Sequence, residues 1–227
     1  MSFSSDQQPR PRLPGAARPS SRVLLVVVCV LLGGMALSDL FAVFAGLRLR
    51  SLAGSSPERA LDGGYALFER AGDVQGMVSL PGAIVFVVWF FLMRRDLGVL
   101  APDGFRNGRG WAIGGWLIPL VNLWMPYRVA VDMWGAAAPL PHEGRPRGTS
   151  FWPVNVWWGL FVGATLLGRF AASYYSDAES LQEVREATAQ YAVADLLHAG
   201  TAVAAGYLAI RLTAMQRVKA LEGPFAK

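Results

Sequence analysis

The stretch that decides the fold is "GWAIGGWLIPLVNLWMPYRVAVDMW", residues 110–134. It is apolar enough for a bilayer, yet it contains two prolines, an asparagine, an arginine, an aspartate and four tryptophans. Proline removes a backbone donor, and non-helical backbone at membrane depth needs burial in protein or contact with water. Tryptophan gathers at membrane–water interfaces. We therefore predict that Pro119 and Pro126 break this stretch into two short re-entrant or interfacial helices, and that Asn122 caps or bridges the freed backbone groups at the break.

The whole chain has the composition of a membrane protein. Of its 227 residues, 53% are hydrophobic and only 16% are charged, whereas about a quarter of a soluble domain is charged. Four further apolar runs are long enough to cross a bilayer: residues 23–47, 76–93, 152–173 and 191–215. The sequence predicts an all-α, polytopic integral membrane bundle of four transmembrane helices plus the proline-broken pair. Five spans is the alternative.

The basic residues decide between four and five spans. With five spans they divide almost evenly between the two sides of the membrane. With four spans one side receives fourteen of them: Arg10, Arg12, Arg18, Arg22, Arg94, Arg95, Arg106, Arg109, Arg128, Arg145, Arg147, Arg217, Lys219 and Lys227. The other side receives Arg48, Arg50, Arg59, Arg70 and Arg185. Because the richer side is normally cytoplasmic, four spans with both termini in the cytoplasm is the better interpretation.

One membrane-embedded domain is expected, over residues 22–216. Residues 1–21 form a polar, proline-rich disordered cytoplasmic tail, and residues 217–227 form a short cytoplasmic tail. Residues 57–68 predict a separate short amphipathic helix. Ser176 and Glu179 have the spacing of a capping box and predict a helix that runs into the last span.

Ionisable residues inside spans are the best indication of a functional site, because they are unfavourable in hydrocarbon. Counting 1.5 Å per residue brings Asp39, Arg169, Asp195 and His198 to comparable depths in the outer leaflet. Two interpretations stay open: a structural ion pair (or an Arg169 that reaches outward to the interface), and a polar pocket with proton-responsive groups. Arg128 and Asp132, at i and i+4, predict a local salt bridge.

Sequence motifs for catalysis are absent. The chain has no His-Glu-x-x-His, no Gly-x-Ser-x-Gly and no phosphate loop, and its only cysteine, Cys29, lies in an apolar run. We expect no enzyme activity, no cofactor, no metal site and no nucleic-acid binding. The expected function is that of a membrane interaction or accessory protein, whose partners are the lipid bilayer and a membrane protein or a second copy of the chain. The alternative is a small transporter or ion/proton pathway using Asp39, Arg169, Asp195 and His198.

Residues 110–134, the stretch quoted at the start, resemble a known protein family. Their glycine, tryptophan and proline pattern resembles the signature of the bacterial multi-span proteins of domain of unknown function 4328: Gly110, Trp111, Gly114, Gly115, Trp116, Pro119, Asn122, Trp124 and Pro126. The resemblance covers roughly residues 75 to 217. It implies a multi-pass protein of the bacterial cell membrane and brings no activity, cofactor or catalytic residue with it.

Overall fold

The computed structural model describes residues 19–53, 58–138 and 150–222. Of the predicted disordered tail of residues 1–21, residues 1–18 lie outside this part of the chain, and residues 19–21 belong to the first helix. The described chain is helical and contains no strand. The elements are α1 (Pro19–Leu52), α2 (Glu58–Leu100), α3 (Trp111–Leu117), α4 (Met125–Ala137), α5 (Trp152–Ser176) and α6 (Leu181–Glu222), with single 3₁₀ turns at Pro102–Gly104 and Val121–Leu123.

Four of these helices are long and apolar enough to cross a membrane, which confirms the four-span bundle. They are α1, α2, α5 and α6. The amphipathic segment after residue 57 is not a separate helix, because it forms the start of α2, which runs without interruption for 43 residues. Pro81 lies inside this helix. Helix α6 likewise continues for 42 residues to Glu222, past the expected domain limit at residue 216.

The capping box lies four residues later than predicted. The Glu183 carboxylate accepts hydrogen bonds from the backbone N–H groups of Glu179 and Ser180, and the Ser180 hydroxyl accepts one from the Glu183 N–H. Ser176 instead ends α5 and donates its hydroxyl hydrogen to the Ser173 carbonyl. The loop between the two last spans is therefore only a few residues long.

The stretch quoted first forms two short helices joined by a tight turn. Helix α3 has 7 residues and α4 has 13, so neither can span a bilayer alone. At the turn, the Val121 N–H bonds to the Pro119 carbonyl across Leu120, whose φ of 66° is the only positive value at a non-glycine residue in the described chain. The cap prediction is wrong: no side chain caps α4, and Trp124 is the residue before its first turn.

Helices α3 and α4 form a hairpin that occupies the space between α2 and α5. The backbones of α2 and α5 hardly approach each other. In contrast, α1 packs on α2 and α6, and α6 packs on α5. We call the end formed by Leu100 and Glu222 the inner end of the bundle. The hairpin enters from this end: Gly104 and Lys219 lie beside Ala136 of α4, and Trp116 of α3 packs on Phe86, about 21 Å of helix before Leu100. The hairpin therefore enters and leaves from the inner end, and its turn is exposed at the surface of the bundle, where Leu120 keeps 71% of its surface.

Two apolar clusters divide the interior. The larger one occupies the inner half and combines side chains of α1, α2 and α6 with the hairpin and the start of α5. The smaller one, at the opposite end, is built on Ala42, Ala45 and Ala71. Alanines such as Ala194, Ala202 and Ala205 keep the α6 face flat, so that neighbouring helices approach closely. The interval between the two clusters contains Asp39.

Candidate functional site

Asp39 is the centre of the candidate site. It lies on α1, about one turn of helix from Met35 of the larger cluster and from Ala42 of the smaller one. Its side chain is 0% exposed. A buried carboxylate is strongly unfavourable unless hydrogen bonds or a counter-charge stabilise it. Both of its oxygens accept hydrogen bonds, one from α2 and one from α6.

Gln75 of α2 links the two acids. Its Nε2 atom donates to Asp39 Oδ1 at 2.9 Å and to Asp195 Oδ1 at 3.0 Å. A primary amide has two N–H donors, so both are used. Only the nitrogen of an amide can donate to a carboxylate, and this fixes the orientation of the side chain.

His198 provides the third contact. Its Nδ1 atom lies 2.8 Å from Asp39 Oδ2, and because a carboxylate only accepts, Nδ1 carries a hydrogen. Asp195 and His198 are three residues apart on α6 and so share a face. The His198 side chain keeps 37% of its surface exposed, against 0% for Asp39. The network therefore runs from an accessible imidazole to a fully buried carboxylate.

Arg169 does not join this network. Its side chain is exposed, and the salt bridges found in the described residues do not include it. Of the arrangements left open by the sequence, the structure therefore does not show the ion pair of Arg169 with Asp39 or Asp195, and an exposed Arg169 agrees with a side chain that reaches outward.

A second charged pair lies at the inner end, with a different partner from the one predicted. Arg106 Nη2 and Nε donate to Asp132 Oδ1 at 2.7 and 3.0 Å, and the Arg106 backbone N–H donates to Oδ2 at 3.3 Å. These hydrogen bonds, together with the negative charge of Asp132, raise the pKa of the Arg106 guanidinium. Arg128, the predicted partner, is exposed. Asp132 thus connects α4, through hydrogen bonds, to the loop between α2 and α3.

Three of the signature residues, Gly115, Trp116 and Pro126, are explained by packing in the hairpin. An added Cβ on Gly115 would lie 3.0 Å from Met125 Cγ, so glycine allows α3 and α4 to pack closely. Trp116 is surrounded by the rings of Phe86, Phe90, Trp157, Trp158 and Phe161, with centroids 5.7–6.4 Å away. Pro126 is buried in the first turn of α4, where proline is well tolerated. Their roles in this structure are packing roles.

Comparison with known families agrees with this signature. The sequence profile described as Domain of unknown function (DUF4328) matches residues 55–214. The chain belongs to the DUF4328 family. The matched range begins earlier than the resemblance noted from the sequence and includes Gln75, Asp195 and His198, while Asp39 precedes it. No curated protein and no solved structure matches the chain.

Three residues important in this DUF4328 protein were not among the predicted site residues. Gln75 opens the second apolar run at the depth of Asp39, and that depth was the available signal. Arg106 pairs with Asp132 across a loop, and Lys219 donates to the Ala136 carbonyl at 2.6 Å, which satisfies the end of α4. Neither contact has a sequence signal, because each joins residues that are far apart in the chain.

Proposed function

We propose that this protein takes up and releases protons at the network of Asp39, Gln75, Asp195 and His198, as part of a small ion or proton pathway. The observation that supports the proposal is the buried Asp39 carboxylate held by an exposed His198. Histidine is the side chain whose ordinary pKa is nearest to physiological pH. A proton gained at the accessible imidazole has a carboxylate within hydrogen-bond distance in the bundle interior.

The charges around His198 favour proton uptake. Asp39 faces it from α1, Asp195 lies one turn away on α6, and Gln75 contributes a neutral amide from α2. Arg169 of α5 is exposed and makes no salt bridge among the described residues. The imidazolium form of His198 therefore has two nearby acids and no cation in hydrogen-bond contact among the described residues. Proton movement at this site requires no catalytic chemistry, and we propose that the protein is not an enzyme.

We further propose that the protein resides in a bacterial plasma membrane with both termini in the cytoplasm. Four spans place the two termini on one side, and the basic residues favour that side as the cytoplasm. The inner end of the bundle would then face the cytoplasm and the network would lie in the outer leaflet. Protons would reach His198 from outside the cell.

Flux measurements test the proposal. Purified protein is reconstituted into vesicles loaded with a pH-sensitive dye, and a potassium diffusion potential drives proton entry. We expect wild-type vesicles to acidify faster than empty vesicles, and Asp39→Asn and His198→Gln to abolish the difference. Arg169→Ala is the matched control, because it removes a charge at similar depth outside the network. Equal acidification by wild type and Asp39→Asn would refute the proposal.

A second candidate is an interaction or accessory protein, favoured by the exposed Arg169. A charged side chain on the lipid-facing surface of a span is unfavourable unless it reaches the interface or meets a partner. The partner would be another membrane protein or a second copy of this chain. Recovery of a stable complex in mild detergent from wild type but not from Arg169→Ala would support this function, and identical recovery from both would count against it.

A further inference from the structure

We infer that the network binds a protonated amine, the ammonium group lying between His198, Gln75 and Asp195. The inference names the substrate class of the proposed pathway and rests on the same side chains. It follows from counting which hydrogen-bonding atoms of the network remain available.

The donors of the network are already used. Both N–H groups of Gln75 bond to the acids, and the Nδ1–H of His198 bonds to Asp39. In the neutral imidazole the remaining nitrogen, Nε2, is an acceptor. Gln75 Oε1 and Asp195 Oδ2 are acceptors as well, and neither has a hydrogen-bond partner within the described ranges. A set made only of acceptors binds a ligand that brings its own N–H donors.

The charge of the network agrees with this ligand. With neutral His198, two carboxylates contribute negative charge, and Arg169 does not offset it. The ammonium of a primary amine has one positive charge and three donors, one for each free acceptor. The described residues contain no group of three or more His, Cys, Asp or Glu side chains arranged to hold a metal ion, so the donor count is the better guide to the ligand.

Aromatic rings flank the network on the outer side. Tyr191 lies one turn before Asp195 on α6, and its ring centroid is 5.7 Å from that of Phe68 and 5.9 Å from that of Tyr175. Aromatic faces attract organic cations. An amine bearing a small apolar group therefore has aromatic contacts available on the Tyr191 side of its charge.

The space between α2 and α5 offers the access route. These helices are joined through rings at two levels, Phe68 on Tyr175 and Phe86 on Trp157, with little direct packing between the levels. Gln75 lies between Phe68 and Phe86 along α2. The 37% exposure of His198 shows that the network is reachable from outside the bundle.

Protonation of His198 should oppose amine binding. It adds a positive charge and converts Nε2 from an acceptor to a donor. The charged or titratable groups near this imidazole are Asp39 from α1 and Asp195 and Tyr191 from its own helix. Helix α2 contributes only the neutral Gln75, and Arg169 of α5 makes no salt bridge among the described residues. Proton and amine thus compete for one site.

Binding of benzylammonium to the purified full-length protein in detergent tests the inference, with the shift in melting temperature as the readout. We expect a saturable upward shift that weakens from about pH 8 to about pH 5.5 as the imidazole gains its proton. Asp195→Asn and His198→Gln should each weaken binding by about tenfold or more, the effect of losing a hydrogen bond to a charged group. Arg169→Ala should bind as wild type does.

Benzyltrimethylammonium, which has the same charge and no N–H donor, is the matched probe. We expect it to bind at least about tenfold more weakly than benzylammonium, because it leaves the three acceptors unpaired. Equal binding of both probes, or unchanged binding by the folded Asp195→Asn variant, would overturn the inference. Proton flux without amine binding would overturn the inference and leave the proposed function standing. Amine binding without flux would support the inference and refute the proton pathway.

Discussion

At the scale of single residues, Asp39 and His198 should be energetically coupled. They share a 2.8 Å contact inside the bundle, so removing either one leaves the other without its partner. A double-mutant cycle with Asp39→Asn and His198→Gln should give a coupling of about 0.5–3 kcal/mol in the free energy of unfolding, measured in mixed micelles.

The control cycle combines Asp39→Asn with Arg169→Ala. Arg169 is exposed and apart from the network, so the two losses should add within about 0.5 kcal/mol. A coupling in the control cycle as large as in the first would mean that Arg169 pairs with Asp39 after all.

Asp132 provides a second test, because its carboxylate bonds to Arg106 and not to Arg128, the partner predicted from the sequence. Its side chain is only 7% exposed and is bonded to Arg106. Arg106→Ala should destabilise the protein by about 1–3 kcal/mol, because it removes the counter-charge and the two side-chain donors of a poorly hydrated carboxylate and leaves it only the backbone N–H. Arg128→Ala, one turn from Asp132 on the same helix, should stay within about 0.5 kcal/mol of wild type. Thermal unfolding in detergent compares the two, and a larger loss for Arg128→Ala would contradict the assigned pair.

The height of these residues in the membrane was predictable from the sequence. The direction in which each side chain projects from its helix was not. Counting residues from the membrane boundary placed Asp39, Asp195 and His198 at one level, and the structure brings them together. The same count placed Arg169 there as well, but height says nothing about the rotation of a side chain around its helix. The direction of Arg169 follows from which α5 residues pack on α6, and that packing depends on the whole bundle.

At the scale of elements, the turn of the hairpin contains measurable strain. Leu120 has a φ of 66°, a conformation that disfavours side chains with a Cβ. Leu120→Gly should therefore be neutral or stabilising by up to about 1 kcal/mol, since relief of strain offsets the greater freedom of glycine in the unfolded chain. Detergent unfolding curves measure the change.

Leu117→Gly is the matched control. Leu117 is 74% exposed and Leu120 is 71% exposed, so both substitutions remove a similar lipid- or solvent-facing leucine. Leu117 belongs to α3, where glycine should destabilise the helix by about 1 kcal/mol. Equal losses for both variants would show that Leu120 is unstrained.

The ends of helices were less predictable than their existence. Both Ser176–Glu179 and Ser180–Glu183 match the capping-box spacing, and local pattern alone cannot choose between them. The structure uses the second because α5 continues to Ser176, so the first pair falls at the end of one helix and in the loop. The break near Pro119 was predictable from proline chemistry, whereas the backbone bonds that satisfy it, in place of an Asn122 cap, depend on the turn geometry.

At the scale of the whole molecule, the re-entrant hairpin predicts that its two flanks lie on one side of the membrane. Single cysteines introduced at Arg106 and Gly148, in a Cys29→Ala background, should both react with an impermeant thiol reagent from the cytoplasmic side only. Both should be protected when the reagent is added to intact cells. Labelling of the two positions from opposite sides would mean that residues 110–134 cross the membrane.

The order of the helices in space has a consequence for synthesis at the ribosome. Helix α1 packs on both α2 and α6, but α6 is made last. Of the two described hydrogen-bond partners of Asp39, Gln75 is made in the next helix, whereas His198 follows only after more than 120 further residues. Until α6 is made, Gln75 is therefore the partner available to the carboxylate among the described residues. We expect Gln75→Leu to reduce the yield of inserted protein more than His198→Gln does, because His198 cannot protect a chain that has already been degraded.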